Sequence, residues 1–181
     1  MTKIAVLVGS LRADSMNRKL ADTIEEFSSE DVEFVHLDIS EVPIFDQDME
    51  TDVPASVKKL KADIESADGV LFIAPEYNRA IPGVMKNAID WASRPYGQNS
   101  WEYKPAAVTG STGSPWGTVA SQGQLRATLL YLNMHVMGQP ELYIGAFNPV
   151  HNAEGVIEDH MKEHLTDFVA KLEAHVAFFK K

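Results

Sequence analysis

Residues 3–21, KIAVLVGSLRADSMNRKLA, carry an apolar strand that ends in a small polar loop and opens a helix. A strand that is apolar on both sides of its pleat needs cover on both faces, which points to a parallel sheet flanked by helices. Ser10, Arg12, Ser15 and Asn17 stand in the loop as short polar groups and one guanidinium. Behind them, the first turn of the helix brings unpaired N–H groups and the positive end of its dipole. The combination is an anion site. It is not a P-loop, because no Gly-Lys-Ser/Thr triplet follows Gly9, and G-x-G-x-x-G is absent too. What remains suits a terminal phosphate held by hydroxyls, backbone N–H groups and one arginine. The competing reading is an ordinary strand-to-helix loop in which Ser15 merely caps the helix.

The same alternation continues along the chain. Runs rich in Val, Ile, Leu and Phe predict strands over 3–8, 32–37, 69–74, 106–110 and 141–144. Helices are predicted between and after them, over 15–27, 54–66, 82–92, 119–134 and 155–180. No repeat, low-complexity tract or linker interrupts the pattern, and 181 residues suit one domain with a substantial core. In a doubly wound sheet of this kind, ligands collect at the carboxyl ends of the strands.

Composition narrows the chemistry. The chain has no cysteine, which excludes disulfides, thiolate metal sites, iron–sulfur clusters and a cysteine nucleophile. Its formal charge of -10 disfavours nucleic acid and anionic membrane as partners. No run approaches a bilayer span and no apolar leader is evident, so a cytoplasmic location is expected.

Two further loops fall at strand ends. In 74–94, APEYNRAIPGVMKNAIDWASR, the third strand runs into Pro75, Glu76, Tyr77, Asn78 and Arg79, and Pro82 marks the start of the next helix. A planar aromatic ligand could rest on this backbone and on the Tyr77 ring, with Arg79 in reach of a second anion. Tyr77 and Trp91 could equally be ordinary half-buried aromatics. The loop 110–117, GSTGSPWG, follows the fourth strand with three glycines and three hydroxyls, suited either to close backbone approach by a ligand or to a plain turn.

These residues together resemble the NADPH-dependent FMN reductase family, the flavodoxin-like group that includes chromate and quinone reductases. The resemblance covers about residues 3–145. It rests on Gly9-Ser10-Leu11-Arg12 with Ser15 and Asn17, on Pro75-Glu76-Tyr77-Asn78, and on Ile81-Pro82-Gly83 with Lys86-Asn87-Ala88-Ile89-Asp90-Trp91. It implies one flavodoxin-like FMN-binding domain over 1–181, an α/β doubly wound five-stranded parallel sheet of order 2-1-3-4-5. FMN is the implied cofactor and NADPH or NADH the co-substrate. Ser10, Arg12, Ser15, Met16 and Asn17 match the phosphate loop, and Pro75, Glu76, Tyr77 and Asn78 the loop under the isoalloxazine ring. Ser111, Thr112 and Gly113 match the third flavin contact, although Trp116-Gly117-Thr118 stands where many relatives have a Gly-Gly pair. By the same resemblance, hydride passes from nicotinamide to flavin and then, in a ping-pong cycle, to a quinone, flavin or other small acceptor. Tyr77 and Arg94 are the candidates for shaping the acceptor site. Arg94 could instead pair with a surface carboxylate.

A homodimer or homotetramer is implied as well, with Arg126 and Glu141 as cross-subunit partners or as a local pair. The aromatic loop 96–103 adds to that expectation. A flavodoxin-type electron carrier, binding FMN without its own turnover, is the alternative function.

Other motifs read as structure. His160-Met161-Lys162-Glu163-His164 spells H-x-x-E-H, yet Met161, Leu165, Phe168, Leu172, Val176 and Phe179 step as the buried stripe of a helix, and no third ligand is evident. Asp46, Asp48 and Glu50 read as a solvated acidic loop before a hard-cation site. Ser56 to Lys59 fits S-x-x-K without its partner motifs, and no G-x-S-x-G is present, so a hydrolase has no nucleophile.

Overall fold

The computed structural model describes residues 1–180. In chain order its elements are β1 (Thr2–Val8), α1 (Met16–Glu25), β2 (Val32–His36), α2 (Ala55–Ser66), β3 (Gly69–Ile73), α3 (Gly83–Ala92), β4 (Pro105–Ser111), α4 (Val119–Tyr131), β5 (His135–Val136), β6 (Leu142–Ile144) and α5 (Asp159–Phe179), with a 3-10 turn at Gln47–Asp52. The strands are all parallel, in the order β2-β1-β3-β4-β5, and β6 also pairs with β4.

Alternation along the strands builds the two layers. Ile4, Val6, Leu71, Ile73 and Ala107 pack with α1 and α5, whereas Ala5, Leu7, Val70, Phe72 and Val108 pack with α2, α3 and α4. Both faces of the central strands are therefore buried, as their unbroken apolar runs require. The stripe on α5 faces inward at Met161, Leu165, Phe168, Leu172 and Val176, while Phe179 is half-buried and stacks on His135. None of the described helices is long and apolar enough to cross a membrane.

The fifth sheet position departs from the single strand predicted over 141–144. It is filled by two short pieces: β5 pairs with Pro105 and Ala106, and β6 pairs with Thr109, Gly110 and Ser111. Between them lies Pro140, which has no N–H to give a ladder. The Arg126 side chain enters this break from α4 and donates to Met137 O at 2.6 Å and to Val108 O at 3.3 Å. Its guanidinium lies 4.0 Å from Glu141 of the same chain. Arg126 thus satisfies carbonyls that a continuous strand would have paired.

The boundaries of two helices also move. α4 stops at Tyr131 because Asn133 adopts a left-handed φ of 60°, and α5 begins at Asp159, after a bend at Gly155.

Candidate active site

The parallel strands release their loops at one end of the sheet, and three of those loops meet there. Ser10 to Asn17 follow β1, Pro75 to Tyr77 follow β3, and Ser111 to Gly113 end β4. Together they line a crevice of about 120 Å³. Every sequence-predicted cofactor residue takes part in this lining except Asn78 and Arg79.

At the first loop, Ser15 is the N-cap of α1, with Oγ accepting from Arg18 N–H at 3.4 Å. The N–H groups of Met16 and Asn17, in the first turn, have no acceptor within the helix. Ser10, Ser15 and Asn17 are buried, and Arg12 stands exposed at the lip. Asp14, the loop's one carboxylate, is paired with Lys19, whose hydrogen bond and charge hold it below the usual carboxylate range. The loop is left with a positive character.

Asn17 has a different task from the one its position suggested. Its amide donates to Ser111 O at 2.9 Å and accepts from Ser111 N–H at 2.8 Å. One bond from each end of the side chain stitches the first loop to the third, and Asn17 also offers the crevice its backbone N–H. The Ser111 hydroxyl, by contrast, is buried with no hydrogen-bond partner. A buried donor without a partner costs about 1–3 kcal/mol, so a ligand acceptor here is favoured.

The second loop leaves β3 at Ile73 and makes a tight turn closed by Ala80 N–H to Tyr77 O at 3.0 Å. Asn78 and Arg79 form its tip at φ of 53° and 62°. They project beyond the crevice lining, and Arg79 pairs with Glu76 at 3.1 Å. The Glu76 carboxylate also accepts from the N–H groups of Ala120 and Ser121 at the start of α4. Tyr77 is half exposed over the crevice.

Arg94 takes up the carboxylate pairing that the sequence left open. Its guanidinium forms a two-point ion pair with Glu50, Nε to Oε1 at 2.6 Å and Nη2 to Oε2 at 3.2 Å, and it does not line the crevice. The acids of the 46–50 segment likewise part company. Asp46 caps the 3-10 turn, accepting from Asp48 N–H at 3.0 Å, while Glu50 takes Arg94. His160 bonds to Asn148 at 2.8 Å, and His164 is exposed. In the aromatic loop Trp101 is fully buried and donates to Ile89 O at 3.0 Å, leaving Tyr96 and Tyr103 as its exposed rings.

Sequence reasoning missed two supporting features. The buried polar residues Thr118, Ser121 and Gln122 knit α4 to the site: Ser121 Oγ donates to Pro75 O at 3.0 Å, and Gln122 Nε2 donates to Thr118 Oγ1 at 2.8 Å and to Leu142 O at 3.0 Å. Polar residues at a helix start read as solvent-facing, so no signal marked them. The second is a cavity of about 240 Å³ behind the 111–113 wall, where Met16 and Leu20 face Ile144, Pro149 and Val150.

Comparison with known proteins places this architecture. The family model for NADPH-dependent FMN reductase matches residues 2–149. A 2-hydroxy-1,4-benzoquinone reductase from a Burkholderia species is 42% identical over 175 residues, spanning 96% of each chain. A quinone reductase from Pseudomonas putida is 37% identical over 174 residues, spanning 96% of this chain and 94% of that one. Among solved structures, a flavoenzyme NAD(P)H:(acceptor) oxidoreductase from Paracoccus denitrificans superposes with a TM-score of 0.93 at 40% identity over the full length of both chains. With its sheet order, its three converging loops and these likenesses agreeing, the chain belongs to the NADPH-dependent FMN reductase family.

Proposed function

We propose that the chain is an NAD(P)H-dependent, FMN-containing reductase that delivers two electrons from NADPH or NADH to quinones, flavins or similar small acceptors in a ping-pong cycle. The carrying observation is the three-loop crevice, in which a buried, unpartnered Ser111 hydroxyl, the free first-turn N–H groups of α1 and Arg12 await an acceptor-rich ligand. FMN fits that donor set, and when bound it supplies the two-electron exchange between nicotinamide and acceptor. Residues 1–181 act in this reading as one FMN-binding domain.

The protein's own contribution is binding and orientation. Ser10, Arg12, Ser15 and the N–H groups of Met16 and Asn17 hold the phosphate. The Pro75–Tyr77 backbone would carry the ring, with Ser111, Thr112 and Gly113 as the facing wall and Asn78 at the turn beyond it. Tyr77, half exposed, shapes the open face where donor and acceptor bind in turn. The quinones named for the relatives favour quinones as the acceptor class. A cytoplasmic location, where nicotinamide co-substrates are drawn, and a homodimer or homotetramer belong to the same proposal.

Anaerobic stopped-flow mixing with NADPH or NADH tests the reading. Bleaching of bound flavin, followed by its return on adding a quinone, is expected. Steady-state reciprocal plots against quinone at several nicotinamide concentrations are expected to be parallel. Flavin that binds but never bleaches would make the protein a flavodoxin-type carrier, and converging lines would refute the shared open face.

A further inference from the structure

Glu76 is matched on every side. Its carboxylate side chain is only 6% exposed. Oε2 accepts from Ala120 N–H at 3.0 Å and Ser121 N–H at 3.1 Å, in the opening turn of α4, and Oε1 accepts from Arg79 Nη1 at 3.1 Å. Two more bonds run between the same elements: Ser121 Oγ to Pro75 O at 3.0 Å and Gln124 Nε2 to Arg79 O at 2.7 Å. The turn they secure is strained, since both Asn78 and Arg79 hold left-handed backbone. Asparagine tolerates that region, but an arginine there has to be held from outside.

The carboxylate has a second effect. The N-terminus of α4 carries the positive end of a helix dipole, and Glu76 sets a negative charge against it at the wall of the crevice. Without that charge, the helix end would favour an electron-rich ligand in the crevice over an electron-poor one.

We propose that Glu76 is a positioning residue that docks the flavin-bearing loop on α4 and, through its charge, disfavours added electron density on the ring. The proposal rests on the FMN reading above. Two variants separate the docking from the charge. Glu76→Ala removes both, whereas Glu76→Gln keeps an acceptor oxygen for the Ala120 and Ser121 N–H groups but loses the charge together with the Arg79 bond, since its amide NH2 is a donor like the guanidinium.

Hydrogen–deuterium exchange on the flavin-free protein reads the docking. The amides of residues 77–80 and 120–121 are expected to exchange about tenfold faster in Glu76→Ala, while in Glu76→Gln those of 120–121 stay near the native rate. Titration with oxidised and with reduced FMN reads the charge. In Glu76→Gln the ratio of the two dissociation constants is expected to move about tenfold towards the reduced form, with a matching positive shift in midpoint potential. Native protection of the turn in Glu76→Ala would overturn the docking role, and an unchanged ratio in Glu76→Gln would overturn the charge role. Should Glu76→Ala not fold, Glu76→Asp, which keeps the charge but shortens the reach, serves for the exchange measurement. If even the native protein binds no FMN, the functional reading fails and the charge role with it, while the exchange result still decides the docking role.

Discussion

Arg12 and Gly110 represent two ways in which one residue decides this site. Arg12 is exposed at the lip of the crevice, where its guanidinium would give a phosphate a charge-assisted hydrogen bond beside those from the α1 N–H groups. Replacing Arg12 by Ala is expected to weaken FMN binding by roughly 1.5–3 kcal/mol. Riboflavin, lacking the phosphate, should bind the native protein far more weakly and should not sense the substitution. A fluorescence titration with both ligands checks this, and equal affinity for the two would rule out a phosphate anchor. Gly110 acts through space. A Cβ there would lie 2.0 Å from Ala74 O, a backbone atom of the β3 end, so nothing flexible can yield. Gly110→Ala is expected to destabilise the fold by at least the roughly 1–3 kcal/mol typical of overpacking, read as a lowered denaturation midpoint. The gathering of the three loops was legible in the sequence: polar residues following the first, third and fourth strands meet at one crevice. Individual partners were not. That Asn17 would spend its amide on Ser111, or Arg94 its guanidinium on Glu50, depends on contacts across 94 and 44 residues that no local pattern encodes.

Elements were legible wherever apolar runs were continuous, and less so where tertiary contacts replaced the ladder. β1 from Ile4 onward, β3 throughout and β4 to Val108 are apolar and buried on both faces, and their direction follows from helix-length connections. The split of the fifth position into β5 and β6 was hidden because the satisfying group, Arg126, lies on a helix and reads locally as an exposed charge. At the opposite end of the sheet from the crevice, Asp68 ties three elements together. Its carboxylate accepts from Lys3 N–H on β1 at 2.8 Å and lies 2.9 Å from the Lys180 ammonium just past α5. Burial pushes the Asp68 carboxyl up, but the Lys3 N–H and the nearby lysines outweigh it and hold the group below the usual carboxylate range. A carboxyl depressed in the folded state contributes stability above its unfolded pKa, and that contribution is lost as pH falls through the folded value. Asp68→Asn is therefore expected to cost about 1 kcal/mol at neutral pH, the contact being partly solvent-screened. Denaturation curves of the two proteins should converge below about pH 4. A gap that persisted or widened in acid would show that the charge is not what Asp68 contributes.

At the scale of the whole molecule, the crevice has a floor and walls from one chain but an apolar rim. Met16 and Tyr77 line it and are 46% and 51% exposed, and Trp116, further along the third loop, is 68% exposed. Exposed large apolar side chains on neighbouring loops mark a surface suited to contact. The loop 96–103 is a weaker source of such contact than its composition suggested, since Trp101 is turned into the core against Phe72. Arg126 is committed to Met137 O and Val108 O of its own chain, with Glu141 of that chain 4.0 Å away. A subunit boundary at this rim would set a second chain beside the open face of a bound flavin and restrict what can reach it. Light scattering at micromolar concentration is expected to return at least twice the 20.0 kDa of one chain. Trp116→Asp should lower that mass by placing a charge in the contact, with little effect on the thermal midpoint, because the side chain is mostly solvent-facing within one chain. It should also speed the reaction of bound flavin with bulky acceptors, since the rim would be uncovered. A native mass equal to one chain would remove the boundary altogether, and an assembly indifferent to Trp116→Asp would place it elsewhere on the surface.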